Sequence, residues 1–144
     1  MQEQNFQNHA RFVKGFHFVL FGLLLVALVC SIINLYQEAQ EGEGLLEPTL
    51  LILMVVCVTL TAWYARVFAL KAQDRAIRTE ENFRHYLLTG KAQSSSLSMG
   101  QIIALRFASD DEFIALNEKA LTENLGGKAI KSQIQNWKAD HNRA

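Results

Sequence analysis

Charge is missing from two long stretches of this 144-residue chain: no Asp, Glu, Lys, Arg or His occurs in residues 18–33 or 50–65. Ionisable groups inside a membrane mark ion and proton pathways, because they are too costly to keep there otherwise. Their absence argues against a pump or a proton-coupled transporter. Cysteine is scarce too. Cys30 and Cys57 are the two present, and both lie in these apolar stretches, which excludes a disulfide framework and leaves them as small packing residues. Neither Pro nor Gly occurs in 49–88, so nothing there interrupts a helical pattern. Lys and Arg are missing from 36–48, which instead carries Glu38, Glu41, Glu43 and Glu47.

Catalytic signatures are missing as well. There is no Gly-rich phosphate loop, nucleophile elbow or zinc motif. The histidines His9, His17, His85 and His141 form no i,i+4 pair and have no cysteine nearby, so a metal site would need distant segments. Asp110, Asp111 and Glu112 read as helix-start acids rather than a carboxylate catalyst. No catalytic, cofactor-binding or metal-binding residues are expected, and the chain is not expected to be an enzyme.

What is there is segregated. Half of the residues are apolar while the mean hydropathy is near zero. Two apolar blocks, 16–36 and 49–70, sit beside polar segments. A helix rising 1.5 Å per residue needs about 20 residues to cross a hydrocarbon core of about 30 Å, and each block meets that. The basic flanks (Arg11 and Lys14 before the first block; Arg66, Lys71, Arg75, Arg78, Arg84 and Lys91 after the second) and the acidic connection place both termini in the cytoplasm by the positive-inside rule. Trp63, Tyr64 and Arg66 cluster at the expected inner boundary. Pro48 suits a first helical turn, and Gly42 and Gly44 suit the connecting turn. A cleaved signal peptide is the competing reading, but no small-x-small cleavage site follows the first block, Val29 stands before Cys30 where lipoprotein processing needs a small residue, and a second apolar block is present. Ala27 and Ser31 make one small-xxx-small spacing, which is common by chance.

Beyond the second block the helical pattern runs on to Leu88. At 100° per residue, Phe68, Ala69, Ala72, Ala76, Phe83, Tyr86 and Leu87 share one stripe, with Lys71, Asp74, Arg78 and Glu81 opposite. This predicts an amphipathic cytoplasmic helix, 71–88, standing as a stalk, lying along anionic lipid or packing on its own tail. Residues 89–97 read as a flexible linker, with Thr89, Gly90 and three consecutive serines. In 98–144 three short helices are expected. Ser98 to Gln101 and Ser109 to Glu112 each read as a capping box, Gly126-Gly127 reads as the stop of the second helix, and Ile130, Ile134, Trp137 and His141 read as one face of the third. With Phe107, the residues Ile130, Ile134 and Trp137 form a candidate packing or interaction face. A domain of about 46 residues has a marginal core and should lean on the stalk, the membrane surface or a partner. Six basic residues balance six acidic ones in 97–144, so a helix-turn-helix reader of nucleic acid lacks the cationic surface it needs.

The chain resembles a family of small bacterial two-helix membrane proteins classed as a domain of unknown function. The resemblance is carried by Asn8-His9-Ala10-Arg11-Phe12 and Phe16-His17-Phe18, by Ala65-Arg66, Phe68-Ala69-Leu70-Lys71 and Gln73-Asp74-Arg75, and by Leu105-Arg106-Phe107-Ala108-Ser109-Asp110 with Ile130-Lys131, Trp137 and Asp140. It covers nearly the whole chain. It implies the same architecture and supplies no activity. On a hairpin, His9, Arg11 and His17 meet Trp63, Arg66, Asp74 and Arg75 at the cytoplasmic surface, a candidate cluster for binding lipid headgroups or fixing the stalk.

The expectation is therefore an all-α protein of a bacterial inner membrane. Its parts are an N-terminal arm (1–15), a two-helix transmembrane hairpin (16–36 and 49–70) joined by an external acidic loop (37–48), a second helix extending into the cytoplasm, and a small helical tail (98–144). Its expected role is as an accessory or interaction subunit in contact with the lipid bilayer and with copies of itself or other membrane-protein subunits. An oligomeric pore is the rival, with Ser31, Asn34, Thr59 and Thr61 as its polar lining.

Overall fold

The computed structural model of the chain describes residues 5–6, 13–42 and 44–140. Its regular elements are all helical: a π-helical segment Gly15–Leu20, then α1 (Phe21–Glu41), α2 (Leu46–Thr89), α3 (Met99–Leu105), α4 (Asp110–Thr122) and α5 (Gly127–Gln133). The chain divides into two compact units, one spanning Phe12–Ala69 and one containing Leu70–Ala144. The all-α expectation holds, and α2 is as long and unbroken as the lack of Pro and Gly implies.

The helices Gly15–Glu41, in the first unit, and Leu46–Thr89, which begins there and ends in the second, are long and apolar enough to cross a membrane. α1 ends at Gly42, whose φ of 74° is left-handed and whose N–H donates to the Glu38 carbonyl. An L side chain is strained at that angle, which is why glycine terminates helices in this way. Pro48 falls in the first turn of α2 and is buried; its missing N–H leaves no helical bond unmade there. Large apolar side chains point outward along both helices, among them Leu23 (64% exposed), Met54 (61%) and Trp63 (61%).

The second unit has the core. Leu97, Ile102, Leu105, Phe107, Phe113 and Ile130 are fully buried, and Ile77 on α2 joins them. Each side chain of this kind contributes roughly 1.5–3 kcal/mol when taken from water. α3 starts at the capping box expected from the sequence. Ser98 Oγ accepts from the Gln101 N–H, and Gln101 Oε1 accepts from the Ser98 N–H. The same Gln101 side chain reaches the end of α4, donating Nε2 to the carbonyls of Ala120 and Leu125. α3 and α5 meet backbone to backbone: a Cβ added at Gly127 would sit 2.8 Å from the Gly100 carbonyl oxygen.

Three local expectations are corrected. Ser109 precedes α4 but makes no side-chain cap; Glu112 instead accepts from the N–H groups of Gln135 and Asn136 at 2.9 and 2.7 Å. α4 stops at Thr122, before a turn through Asn124 at φ 50°, and Gly126 caps the start of α5 rather than the end of α4. The third helix does not extend through Trp137. The chain leaves the helix at Ile134 (φ −71°, ψ 123°) and runs beside residues 107–109. There Ala108 and Trp137 form an antiparallel bridge, with the Ser109 N–H donating to Asn136 O at 3.1 Å and the Lys138 N–H to Phe107 O at 2.8 Å. His141 lies outside the described residues.

Candidate functional site

Within the second unit, α2 carries two contrasting faces. Of the placements open to the apolar stripe, packing on the tail is not the one found, and the stripe is turned out: Phe83 is 61% exposed, Tyr86 55% and Leu87 67%, and Ala72 and Ala76 are exposed as well. The covered face holds Ile77 with the ionisable side chains Glu81, Arg84 and His85. The physical reason is that the tail offers α2 carbonyls, carboxylates and an aromatic ring as well as apolar surface, so charged side chains find partners there that a purely apolar stripe would not.

Arg84 is the centre of that contact. Its Nε donates to Asp110 Oδ1 at 2.7 Å, Nη2 to the Ala108 carbonyl at 2.8 Å and Nη1 to Glu81 Oε2 at 3.2 Å. Its guanidinium also covers the ring of Phe113. This fork of donors is what Arg supplies and Lys does not. His85 lies edge-on to Phe113, 6.2 Å between ring centres, with Nδ1 2.8 Å from the Lys91 carbonyl. A second ion pair, Arg106 Nη2 to Asp140 Oδ2 at 2.5 Å, ties α3's end to the last described residue. Beside the Arg106–Asp140 pair lies a cavity of about 280 Å³, lined by Gln73, Ala76, Ile77, Glu80, Glu81, Arg106, Lys138, Ala139 and Asp140. Burial pushes the Glu81 carboxyl above its ordinary range, against the opposing pull of Arg84, Lys138 and Arg106.

Chemically this is a fastening. Each buried cation is matched to a carboxylate on a different segment, and the lining mixes both signs rather than concentrating one. Among the described residues, no group of three or more His, Cys, Asp or Glu is placed to hold a metal ion.

The residues singled out from the sequence fall as follows. Phe107 and Ile130 are completely buried, Ile134 is 7% exposed, and Trp137 packs on Phe107 at 5.1 Å between ring centres. That face is core. His17, Trp63 and Arg66 belong to the unit Phe12–Ala69, while Asp74 and Arg75 belong to the other. His9 and Arg11 lie outside the described residues. The fastening residues Glu81, Arg84 and Arg106 were not read from the sequence. The available signal was Arg84-His85 set between Phe83 and Tyr86-Leu87-Leu88, two polar residues in an otherwise apolar turn.

Comparison with known proteins places the chain in a family. The profile described as "Family of unknown function (DUF6526)" matches residues 1–144, so the chain belongs to that family. No curated protein and no solved structure matches it.

Proposed function

Because the family carries no assigned activity, we propose from the chain's own features that it is a non-catalytic accessory or interaction subunit anchored in a bacterial inner membrane. α1 and the first part of α2 form a hairpin across the bilayer, the acidic connection is external, and both termini and the helical tail are cytoplasmic. The observation that carries this reading is the exposure of large apolar side chains around two helices of spanning length. In water such a surface would be an aggregation hazard, and in lipid it needs no cover. The lack of basic residues in 36–48 supports the orientation.

The pore reading has less support. The hydroxyls of Ser31, Thr59 and Thr61 each donate to the carbonyl four residues back, at 2.8 Å. These three hydroxyl protons are therefore engaged within their own helices.

Two measurements test the proposal. Alkaline carbonate should leave the intact chain in the bilayer pellet, and a cysteine placed at Glu41 should react with an impermeant maleimide from outside in a background free of Cys30 and Cys57. Release into the supernatant ends the membrane reading, and labelling only after lysis reverses the orientation. For the accessory role, mild-detergent purification should yield stoichiometric copies or partners; a lone monomer ends it.

A further inference from the structure

The exposed stripe of α2 has a more specific spacing than an amphipathic helix requires. Ala72, Ala76, Thr79, Phe83 and Tyr86 alternate at intervals of four and three, which is the a and d spacing of a coiled coil. In the sequence the same alternation reads back through Ala69, Ala65 and Ala62. With Ala76 at a and Thr79 at d, Arg75 takes position g and Glu80 position e. Both are exposed. Ile77, Glu81, Arg84 and His85, which the tail covers, fall at b, f and c, on the other side of the helix. The tail thus covers the b, f and c side, and its C-terminal segment reaches the e border, where Gln73, Ala76 and Glu80 line the cavity with Lys138 and Asp140.

We propose that this face of α2 is a docking surface for the same face of a second copy of the chain, in parallel and in register. The inference rests on the accessory reading above and names its partner. Charge complementarity selects the occupant and the direction. In a parallel pair, the g residue of one helix lies beside the e' residue five positions further along the other, so Arg75 meets Glu80 of the second copy and Glu80 meets its Arg75. The two contacts are equivalent, as an isologous dimer requires. An antiparallel pair sets g against g' and e against e', which loses this match. A helix lying on lipid carries Lys and Arg along both borders of its apolar stripe, whereas here Glu80 and Gln73 stand on one border and Arg75 and Asn82 on the other. The alanines set how close the helices come, near the short end of the usual 8–10 Å, while Phe83 and Tyr86 supply most of the apolar area.

The test uses the full chain in lipid nanodiscs, with Cys30 and Cys57 replaced by Ser and a single cysteine introduced at Ala72, Ala76 or Arg78. Under mild oxidation, Ala72→Cys and Ala76→Cys should give disulfide-linked dimers about tenfold faster than Arg78→Cys, which sits at the outward c position. Arg75→Glu or Glu80→Arg alone should lower the linked fraction of the Ala76→Cys chain about threefold, and the double reversal should restore it. Equal rates at all three positions overturn the docking surface. Monomers in which the thiols of Ala72→Cys and Ala76→Cys are shielded from a water-soluble maleimide show lipid as the occupant and also overturn it. Linkage of Ala76→Cys in native membranes to a different protein overturns the second copy while keeping the accessory reading, and a monomer with no linkage to anything removes both. The unsubstituted chain supplies an independent readout, since its nanodisc should hold the protein mass of two copies rather than one.

Discussion

Arg84 sits over Phe113, its guanidinium carbon 4.3 Å from the ring centre. The contact joins α2 to α4 across 29 positions of sequence and places a cation on an aromatic face that is otherwise fully buried. Because the same guanidinium also holds Asp110, Glu81 and the Ala108 carbonyl, it does several jobs that no smaller side chain repeats. Replacing it by Ala leaves Glu81 buried without its closest cation, a loss of about 3 kcal/mol. Lys restores the charge without the planar fork and should recover about half of that. Pulse proteolysis in urea on the full chain in detergent would order the three proteins. Equal stability of Arg84→Ala and wild type would show that the contact holds nothing.

Glu81 gives the second unit a pH dependence of definite sign. Burial, acting against Arg84, Lys138 and Arg106, raises its carboxyl above the ordinary value of 4.5. The folded chain therefore binds that proton more firmly than the unfolded chain does. The contribution of Glu81 to stability is fully present below pH 4.5 and is lost as pH rises through the folded value. Glu81→Gln cannot titrate. On acidification from about pH 7 toward the ordinary carboxylate range, wild type should gain stability relative to this variant, read as the difference between their melting temperatures at each pH. A difference that is constant across the series would show that Glu81 titrates alike in both states.

Glu112 and Ser109 separate a motif from its use. The Glu112 carboxylate accepts two backbone N–H groups of the extended C-terminal segment, and charge-assisted bonds of that kind contribute about 1.5–3 kcal/mol each. Glu112→Ala should open residues 134–140, seen as faster amide hydrogen exchange there than in α3. Ser109 Oγ is buried with no hydrogen-bond partner among the described residues, so Ser109→Ala should be neutral or slightly stabilising, within about 0.5 kcal/mol. A Ser109→Ala loss as large as that of a functioning cap, about 1 kcal/mol, would contradict the geometry.

Where local chemistry decides, the structure was legible beforehand. Gly42 ends α1 because only glycine sits easily at its φ, and Ser98 with Gln101 starts α3 because both partners are three residues apart. The unbroken α2 follows from a span without Pro or Gly. The misread features share a cause: the deciding partner is far along the chain. Ser109 to Glu112 has the capping pattern, yet Glu112 bonds 23 residues away. Ile130, Ile134 and Trp137 fit a helical spacing, yet residues 136–138 find backbone partners at 107–109. The outward turn of Phe83 and Tyr86 was the least legible of all. Apolar spacing says that a stripe wants cover, and it does not say whether that cover comes from the same chain. The fastening residues were hidden for the same reason, since Arg84 and Asp110 stand 26 positions apart and meet only once α4 is in place.

The contact between Gly127 and Gly100 sets a limit on how this small unit can vary. A methyl group at position 127 collides with a carbonyl oxygen, and every amino acid carries that oxygen. No replacement at position 100 can therefore clear the way. The two glycines are not a matched pair in which one change compensates another: the space at 100 is open, while 127 has no alternative short of moving α3 and α5 apart.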